Sequence, residues 1–273
     1  MASSMDILIL PRFADDRAAT FSDSLRDDLI RNGNRVRICK KDIADPGILL
    51  FNPENIPDLL VVVGGDGTIL LATQRMPVQI PILGINYGEV GFLADIEPEN
   101  ASSFILGLSK PLPIETRMRI EFRLNGKIIG NALNEALIVT ERPAKMLKFS
   151  IFINGNIAER FRSDGLIIST PTGSTAYAMS AGGPIVDPRV EGFLMVPLAP
   201  FMLSNRPHLI DSSRIVCVSL EGVKPVKLVI DGQTEIHLDE SCKIELSKSP
   251  TPAQFIDAGQ NFFEKINHKL RHL

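Results

Sequence analysis

The segment Leu59-Leu60-Val61-Val62-Val63-Gly64-Gly65-Asp66-Gly67-Thr68 limits the possible folds more than any other part of the chain. Leu59 to Val63 is a short apolar run rich in β-branched residues, the pattern of a strand buried on both faces. Gly64, Gly65 and Gly67 surround Asp66, so the backbone can take positive φ and come close to a ligand. Thr68 to Gln74 reads as a helix stopped near Pro77. Strand, turn and helix start together aim backbone N–H groups and a positive dipole end at an anion. A carboxylate is not needed to hold a phosphate, because its charge repels one. Asp66 is therefore expected to handle a proton or a hydroxyl beside that phosphate. Helix capping would account for Asp66 but not for the glycines on both sides.

Two other phosphate loops do not fit this string. No Gly-Lys-Ser/Thr follows, so it is not the lysine-containing P-loop. The third glycine of the dinucleotide fingerprint is missing at its required offset.

Around this segment the first hundred residues alternate between strands and helices. Ile7 to Leu10, Val36 with Ile38, Leu59 to Val63 and Ile80 to Ile85 read as strands. Phe21, Leu25 and Leu29 recur at helical spacing before Asn32-Gly33 stops the helix. That order implies a mostly parallel, Rossmann-like α/β sheet with ligand sites at the carboxyl ends of its strands. Asp66 and Asn86-Tyr87-Gly88 both fall at such ends.

Beyond Lys110 the period changes to two. Arg119 to Leu124 runs into Asn125-Gly126 and Phe149 to Ile153 into Asn154-Gly155, both hairpin signals. Further strands are expected at Leu166 to Ser169, Ile215 to Leu220, Lys227 to Ile230 and Ile236 to Leu238. They suggest an antiparallel sandwich or a pair of packed sheets. Phe262, Ile266 and Leu270 mark a final helix that packs back on the protein. The expected division is an α/β domain over 1–110, a β-rich domain over 111–258 and a C-terminal helix over 259–273.

Bulk properties narrow the function classes. At 273 residues, 44% apolar and 22% charged, the chain has the composition of a globular protein with room for two domains. Its net charge of −3 argues against nonspecific nucleic-acid binding. The greasiest stretch, Gly192 to Leu203, is broken by Pro197 and Pro200, so no bilayer span is expected. No secretion signal is visible at the start, and Cys39, Cys217 and Cys242 read as buried thiols of a reducing compartment. His208, His237, His268 and His272 form no metal-spaced pair with them. A cytoplasmic location is expected.

A second anomalous run extends from Arg162 to Tyr177. Ser and Thr are dense here, and Gly173-Ser174 could open a short helix through Ala181, ended by Gly182-Gly183. Hydroxyls and amides converging at a helix start suit sugar hydroxyls, an adenine edge or phosphate oxygens; ordinary capping of a serine-rich loop is the plainer reading. Asn134-Glu135 interrupts an apolar strand, so the pair either faces solvent on an edge strand or binds a ligand. Asp231-Gly232-Gln233 reads first as a hairpin turn, with a binding role as the alternative.

Together these strings resemble the NAD kinase family, which phosphorylates NAD to NADP with ATP or polyphosphate. The resemblance rests on Gly64-Gly65-Asp66-Gly67-Thr68, Asn134-Glu135, Arg162 to Tyr177 with Ser180, Leu203 to Pro207 and Asp231-Gly232-Gln233, and it extends from about Asp58 to Gln233. The first motif is shared with diacylglycerol and sphingosine kinases. The run containing Thr175, Ala176 and Tyr177 separates NAD kinases from them. Ser163 departs from the family, many members having glycine there.

The resemblance implies a role for each of these residues. Asp66 would be the general base for the adenosine 2′-hydroxyl of NAD, with Gly64, Gly65, Gly67 and Thr68 around the phosphates. Asn134 and Glu135 would hold the nicotinamide-side ribose or its neighbouring groups. Asp164 and Thr175, Ala176, Tyr177 and Ser180 would bind NAD, with Arg162, Ala199 and Gln233 at the edges of the pocket. Mg²⁺ or another divalent metal would bridge the donor phosphates, since no protein cage for it is legible. A homo-oligomer, tetramer or dimer, would complete the site from a neighbouring subunit. A lipid kinase and a non-catalytic sensor of NAD or NADP remain as alternatives.

Overall fold

The computed structural model describes residues 4–39, 49–87, 91–141, 145–221, 225–238 and 242–270. Gly88 and His272 lie outside them. The chain divides into two compact units, Met1–Thr116 with Ala253–Leu273, and Arg117–Pro252.

The first unit runs β1 (Asp6–Pro11), α1 (Asp16–Arg31), β2 (Arg35–Ile38), β3 (Leu59–Gly64), α2 (Asp66–Arg75), β4 (Pro81–Asn86), α3 (Pro98–Gly107) and β5 (Ile114–Arg117). β1 lies parallel to β2 and to β3, and β3 parallel to β4. The Asp15 carboxylate caps α1 by accepting from the amides of Arg17 and Ala18. Gly33, at φ +88°, turns the chain left-handed after the helix. Ala18, Leu25 and Leu29 of α1 and Ala101 and Ile105 of α3 pack on Ile7, Ile9, Leu59, Val61 and Val63. Leu60 and Val62 are equally buried and point to the opposite face, where Ile69 of α2 packs at Gly84. Burial on both faces is why β3 has no polar residue.

The second unit is almost entirely strand. It runs β6 (Ile120–Leu124), β7 (Lys127–Ala132), β8 (Glu135–Thr140), β9 (Leu147–Ile153), β10 (Asn156–Ser163), β11 (Gly165–Ser169), a 3₁₀ turn (Thr172–Thr175) and α4 (Tyr177–Ser180). β12 (Gly192–Leu198), β13 (His208–Asp211), β14 (Val216–Glu221), β15 (Val226–Ile230), β16 (Thr234–Leu238) and β17 (Lys243–Lys248) follow. Two six-stranded sheets result, ordered β10-β9-β14-β17-β6-β7 and β13-β12-β11-β8-β15-β16. Both expected hairpins form, with φ of +51° and +78° at Asn125-Gly126 and +49° and +82° at Asn154-Gly155. Phe122, Phe149, Val218 and Ile244 of one sheet and Ile138, Leu166, Ile168, Phe193 and Leu228 of the other share one core. The outer face of the second sheet (Ile167, Leu194, Val196) is covered by Ala178 and Val186.

The chain then returns to the first unit. β18 (Ala253–Ile256) joins the first sheet parallel to β4, giving the order β2-β1-β3-β4-β18-β5, and α5 (Phe262–Leu270) follows. The expected division at 110 and 258 differs from this at both ends. β5 belongs to the first sheet, and Ala253 to Ile256 supplies that sheet's next strand instead of closing the sandwich.

Three local expectations also need correction. α2 begins at Asp66, not Thr68, with Gly65 as its N-cap and no side-chain capping bond. The helix expected from Gly173 to Ala181 is broken at Ala176 into the 3₁₀ turn and α4. There Ser174 Oγ bonds both the amide and the carbonyl of Val186, and the Gly173 amide donates to Thr170 Oγ1, so side chains claim the first turn. Of the three cysteines only Cys242 is fully buried; Cys39 and Cys217 are partly exposed.

Candidate active site

Asp66 stands at the carboxyl end of β3, as the first residue of α2. Its carboxylate is fixed from elsewhere in the same unit. The Phe92 amide donates to Oδ2 at 2.7 Å and the Leu93 amide to Oδ1 at 2.9 Å. A Cβ on Gly91 would overlap that carboxylate, so only glycine permits the approach. Gly65 and Gly67 face open space, whereas Gly64 packs on the Thr68 side chain. The result is an oriented carboxylate on a turn with two bare, accessible glycines. Asn86 ends β4 with its amide on Glu97 Oε1 (3.1 Å), and the Tyr87 amide donates to the Gly64 carbonyl (3.3 Å).

The second cluster lies at one end of the second unit's outer sheet. β8 is a central strand, so Asn134-Glu135 does not sit on an edge. Register pairs Glu135 with Ser169 on one side and Ala136 with Ile230 on the other. Strand start and strand ends thus meet, bringing Asn134, Glu135, the Thr170-to-Thr175 turn and Asp231-Gly232-Gln233 to one place. Asp231, 3% exposed, accepts at Oδ2 from the Leu133 amide and at Oδ1 from the Asn134 and Glu135 amides (2.8, 2.8 and 3.1 Å). Thr170 Oγ1 donates to the Leu133 carbonyl at 2.6 Å, and Gly173 lies so close to the Asn134 carbonyl that a Cβ could not fit.

Among the described residues that network leaves three buried oxygens without a partner at the same end: Asn134 Oδ1, Glu135 Oε2 and Thr172 Oγ1. Buried polar atoms are normally hydrogen-bonded, so this set is shaped for a ligand that brings hydrogen-bonding groups of its own. Burial, and next the Asp231 charge, push the Glu135 carboxyl up to about 8.

Not every expected residue gathers there. Thr175 is buried, Ala176 half-buried, and Tyr177 and Ser180 exposed along the same turn. Arg162, Asp164 and Ala199 lie at the opposite end of β11 and β12, where Gly165 pairs with Leu198. Four residue steps of strand, about 13 Å, separate the two ends. There the Asp164 amide donates to the Leu198 carbonyl, and the Arg162 guanidinium lies 4.3 Å from the Phe201 ring centroid. Ser163, in the family's glycine position, is buried with its hydroxyl on the Gly165 carbonyl (2.7 Å).

The comparisons with known proteins agree with this geometry. Residues 51–111 match the ATP-NAD kinase N-terminal domain and 133–258 the ATP-NAD kinase C-terminal domain. The NAD kinase of Methanospirillum hungatei is 72% identical over 98% of this chain and all of its own. That of Methanoculleus marisnigri is 52% identical over the same shares. The chain belongs to the NAD kinase family. An Archaeoglobus fulgidus NAD kinase solved in complex with ATP superposes with a TM-score of 0.82 at 30% identity, over 98% of this chain and 100% of that one. Yeast NADH kinase complexed with NADH gives 0.83 at 27%, over 98% and 88%. The activity is that of a NAD kinase, a phosphotransferase, and this decides against the lipid-kinase alternative.

For a NAD kinase, the residues that grip Asp66 give no sign of that role in the sequence. Gly91-Phe92-Leu93 cradle Asp66, but an isolated glycine before two apolar residues carries no local signal. Asp231, part of the family resemblance, does sit in a hairpin turn, with φ of +49°; its carboxylate also positions Asn134 and Glu135. We expect Gly91→Ala to displace the Asp66 carboxylate and lower turnover by about 10²-fold or more, as misplacement by an ångström can. Thermal unfolding within a few degrees of wild type would confine the effect to the site, and unimpaired turnover would show that the close approach is dispensable.

Proposed function

We propose that this NAD kinase transfers the terminal phosphate of ATP, or of polyphosphate, to the adenosine 2′-hydroxyl of NAD, with Asp66 as general base. The observation that carries this reading is the Asp66 carboxylate, held by two amides beside the open Gly65 and Gly67. Phosphoryl transfer demands positioning and charge stabilisation more than covalent help from the protein. A hydroxyl is a weak nucleophile at neutral pH, and a positioned base is worth roughly 10²–10⁴-fold. Its proton passes to an Asp66 oxygen as the hydroxyl oxygen bonds to phosphorus and the donor's bridging oxygen departs. Gly64, Gly65, Gly67 and Thr68 line the donor phosphates.

The NAD ribose hydroxyls and amide group, each able to donate and accept, suit the unpartnered oxygens Asn134 Oδ1, Glu135 Oε2 and Thr172 Oγ1. Thr175, Ala176, Tyr177, Ser180 and Gln233 flank them. Among the described residues no group of three or more His, Cys, Asp or Glu is set to hold a metal. A divalent ion, Mg²⁺ or another, bound to the donor phosphates is part of this proposal, and Asp66 is the carboxylate of the glycine turn that would face it. Such an ion supplies charge neutralisation when bound.

Arg162, Asp164 and Ala199 are too far along the sheet from Asn134 to complete the same cluster within one protomer. Their position supports a homo-oligomer, dimer or tetramer, in which a second copy brings these residues to the site. The neighbouring Phe201, Met202 and Leu203, the last 81% exposed, are the apolar surface such an assembly would cover. No helix of the described residues is long and apolar enough to cross a membrane, and a cytoplasmic location without nucleic-acid partners is part of this proposal.

Incubating the purified protein with NAD, Mg²⁺ and ATP or polyphosphate separately tests the reaction; NADP should form with at least one donor. Absence of NADP with every donor would overturn it. Glu135 adds a pH dependence. Its proton is held to about 8 in the folded protein but leaves near the ordinary 4.5 in the unfolded chain. Between those values the folded state binds more protons, so stability falls as pH rises, by at most about 1.4 kcal/mol per unit. Glu135→Gln should flatten that slope in denaturant titrations from pH 5 to 8; an unaltered slope would assign it to other groups.

A further inference from the structure

The glycine turn contains no lysine, yet the fold brings one from the far end of the chain onto the residue that grips Asp66. α5 and the residues leading into it are tied to Asp95 by two contacts: Gln260, just before the helix, donates from Nε2 to the Asp95 carbonyl at 2.6 Å, and Lys265 of α5 pairs with the Asp95 carboxylate. One turn further on, Lys269 Nζ sits over the Phe92 ring, 5.5 Å from its centroid. The amide of that same Phe92 donates to Asp66 Oδ2. Lys269 is half-buried and makes no ion pair among the described residues. Burial lowers its pKa, and the charge that opposes this most is Asp66, ahead of Asp95. An ammonium held on a ring face keeps all three donors and its charge for another partner.

We propose that Lys269 binds the phosphates of the donor at the Gly64-Gly65-Asp66-Gly67-Thr68 turn. It does from α5 what a lysine within the loop does in a P-loop. The inference rests on the reading that this turn receives the donor. It assigns α5 a place in the active site, where sequence periodicity alone makes it a packing helix. Asp66 and Lys269 then divide the work: the carboxylate faces the acceptor hydroxyl, and the ammonium offsets the negative charge that would otherwise keep the donor away from Asp66.

The test compares Lys269→Met and Lys269→Arg with Lys265→Met, which loosens α5 without removing the cation at the turn. In the full-length enzyme, KM for ATP and the inhibition constant of inorganic tripolyphosphate are measured against KM for NAD. Loss of one charge-assisted contact should raise the first two about 10- to 100-fold in Lys269→Met and leave KM for NAD within about twofold. Lys269→Arg should recover most of the loss. Unchanged tripolyphosphate inhibition in Lys269→Met overturns the proposal, as does an equal rise in all three constants reproduced by Lys265→Met, which would mark a purely structural helix. Asp66→Asn, run in parallel, separates the two readings. If it is inactive while Lys269→Met behaves as wild type, only the lysine proposal fails; if it turns over normally, the reading of the turn fails and this proposal with it.

Discussion

Asp66→Asn should abolish NADP formation while leaving NAD binding intact. The amide is no base at neutral pH, so the full contribution of proton abstraction, roughly 10²–10⁴-fold, is lost from turnover. The geometry adds a second loss. The carboxylate accepts from both the Phe92 and Leu93 amides, and an asparagine has one acceptor oxygen for two donors. One backbone N–H would face a side-chain NH₂ instead, at a cost of about 1–3 kcal/mol. The variant should therefore melt slightly earlier than wild type and still bind NAD in calorimetry, through groups of the second unit. Turnover near the wild-type rate would refute the role of base.

The largest stability effect is expected at Asp231. Asp231→Ala leaves the amides of Leu133, Asn134 and Glu135 without their acceptor in a buried place. At about 1–3 kcal/mol each, three orphaned donors amount to a large part of a domain's stability. The same change removes the negative charge that, after burial, raises the Glu135 pKa, so what folds should hold its Glu135 proton less tightly. Chemical denaturation reads the first effect. The pH dependence of NAD affinity in the folded fraction reads the second, with its titration moved to lower pH. An Asp231→Ala protein as stable as wild type would mean that water or side chains replace the lost acceptor.

Much of the fold follows from short-range rules. Each of the four strands expected in the first unit forms with its centre in the expected place, because alternation and β-branching report burial directly. Asn125-Gly126 and Asn154-Gly155 form hairpins because few residues tolerate positive φ. Element ends were less legible. Asp66 starts its helix two residues early, after Gly65 in extended backbone, and Gly64, Gly65 and Gly67 do not take the positive φ that their number suggested. The expected helix breaks at Ala176, whose ψ of −132° lies outside the helical range.

The amino-acid sequence by itself determined where an unusual carboxylate stands, that it ends a buried strand, and which family carries such a string. Local backbone chemistry is enough for that. Only the tertiary structure decided what grips Asp66, from 26 residues away, and that Asp231 reaches back 98 residues to hold Leu133. It also decided that the chain returns at Ala253 to the first sheet, and that Lys269 looks onto Phe92. A buried polar group must find its partner wherever sheet register brings one. That pairing is a property of strand order, which no local pattern of residues encodes.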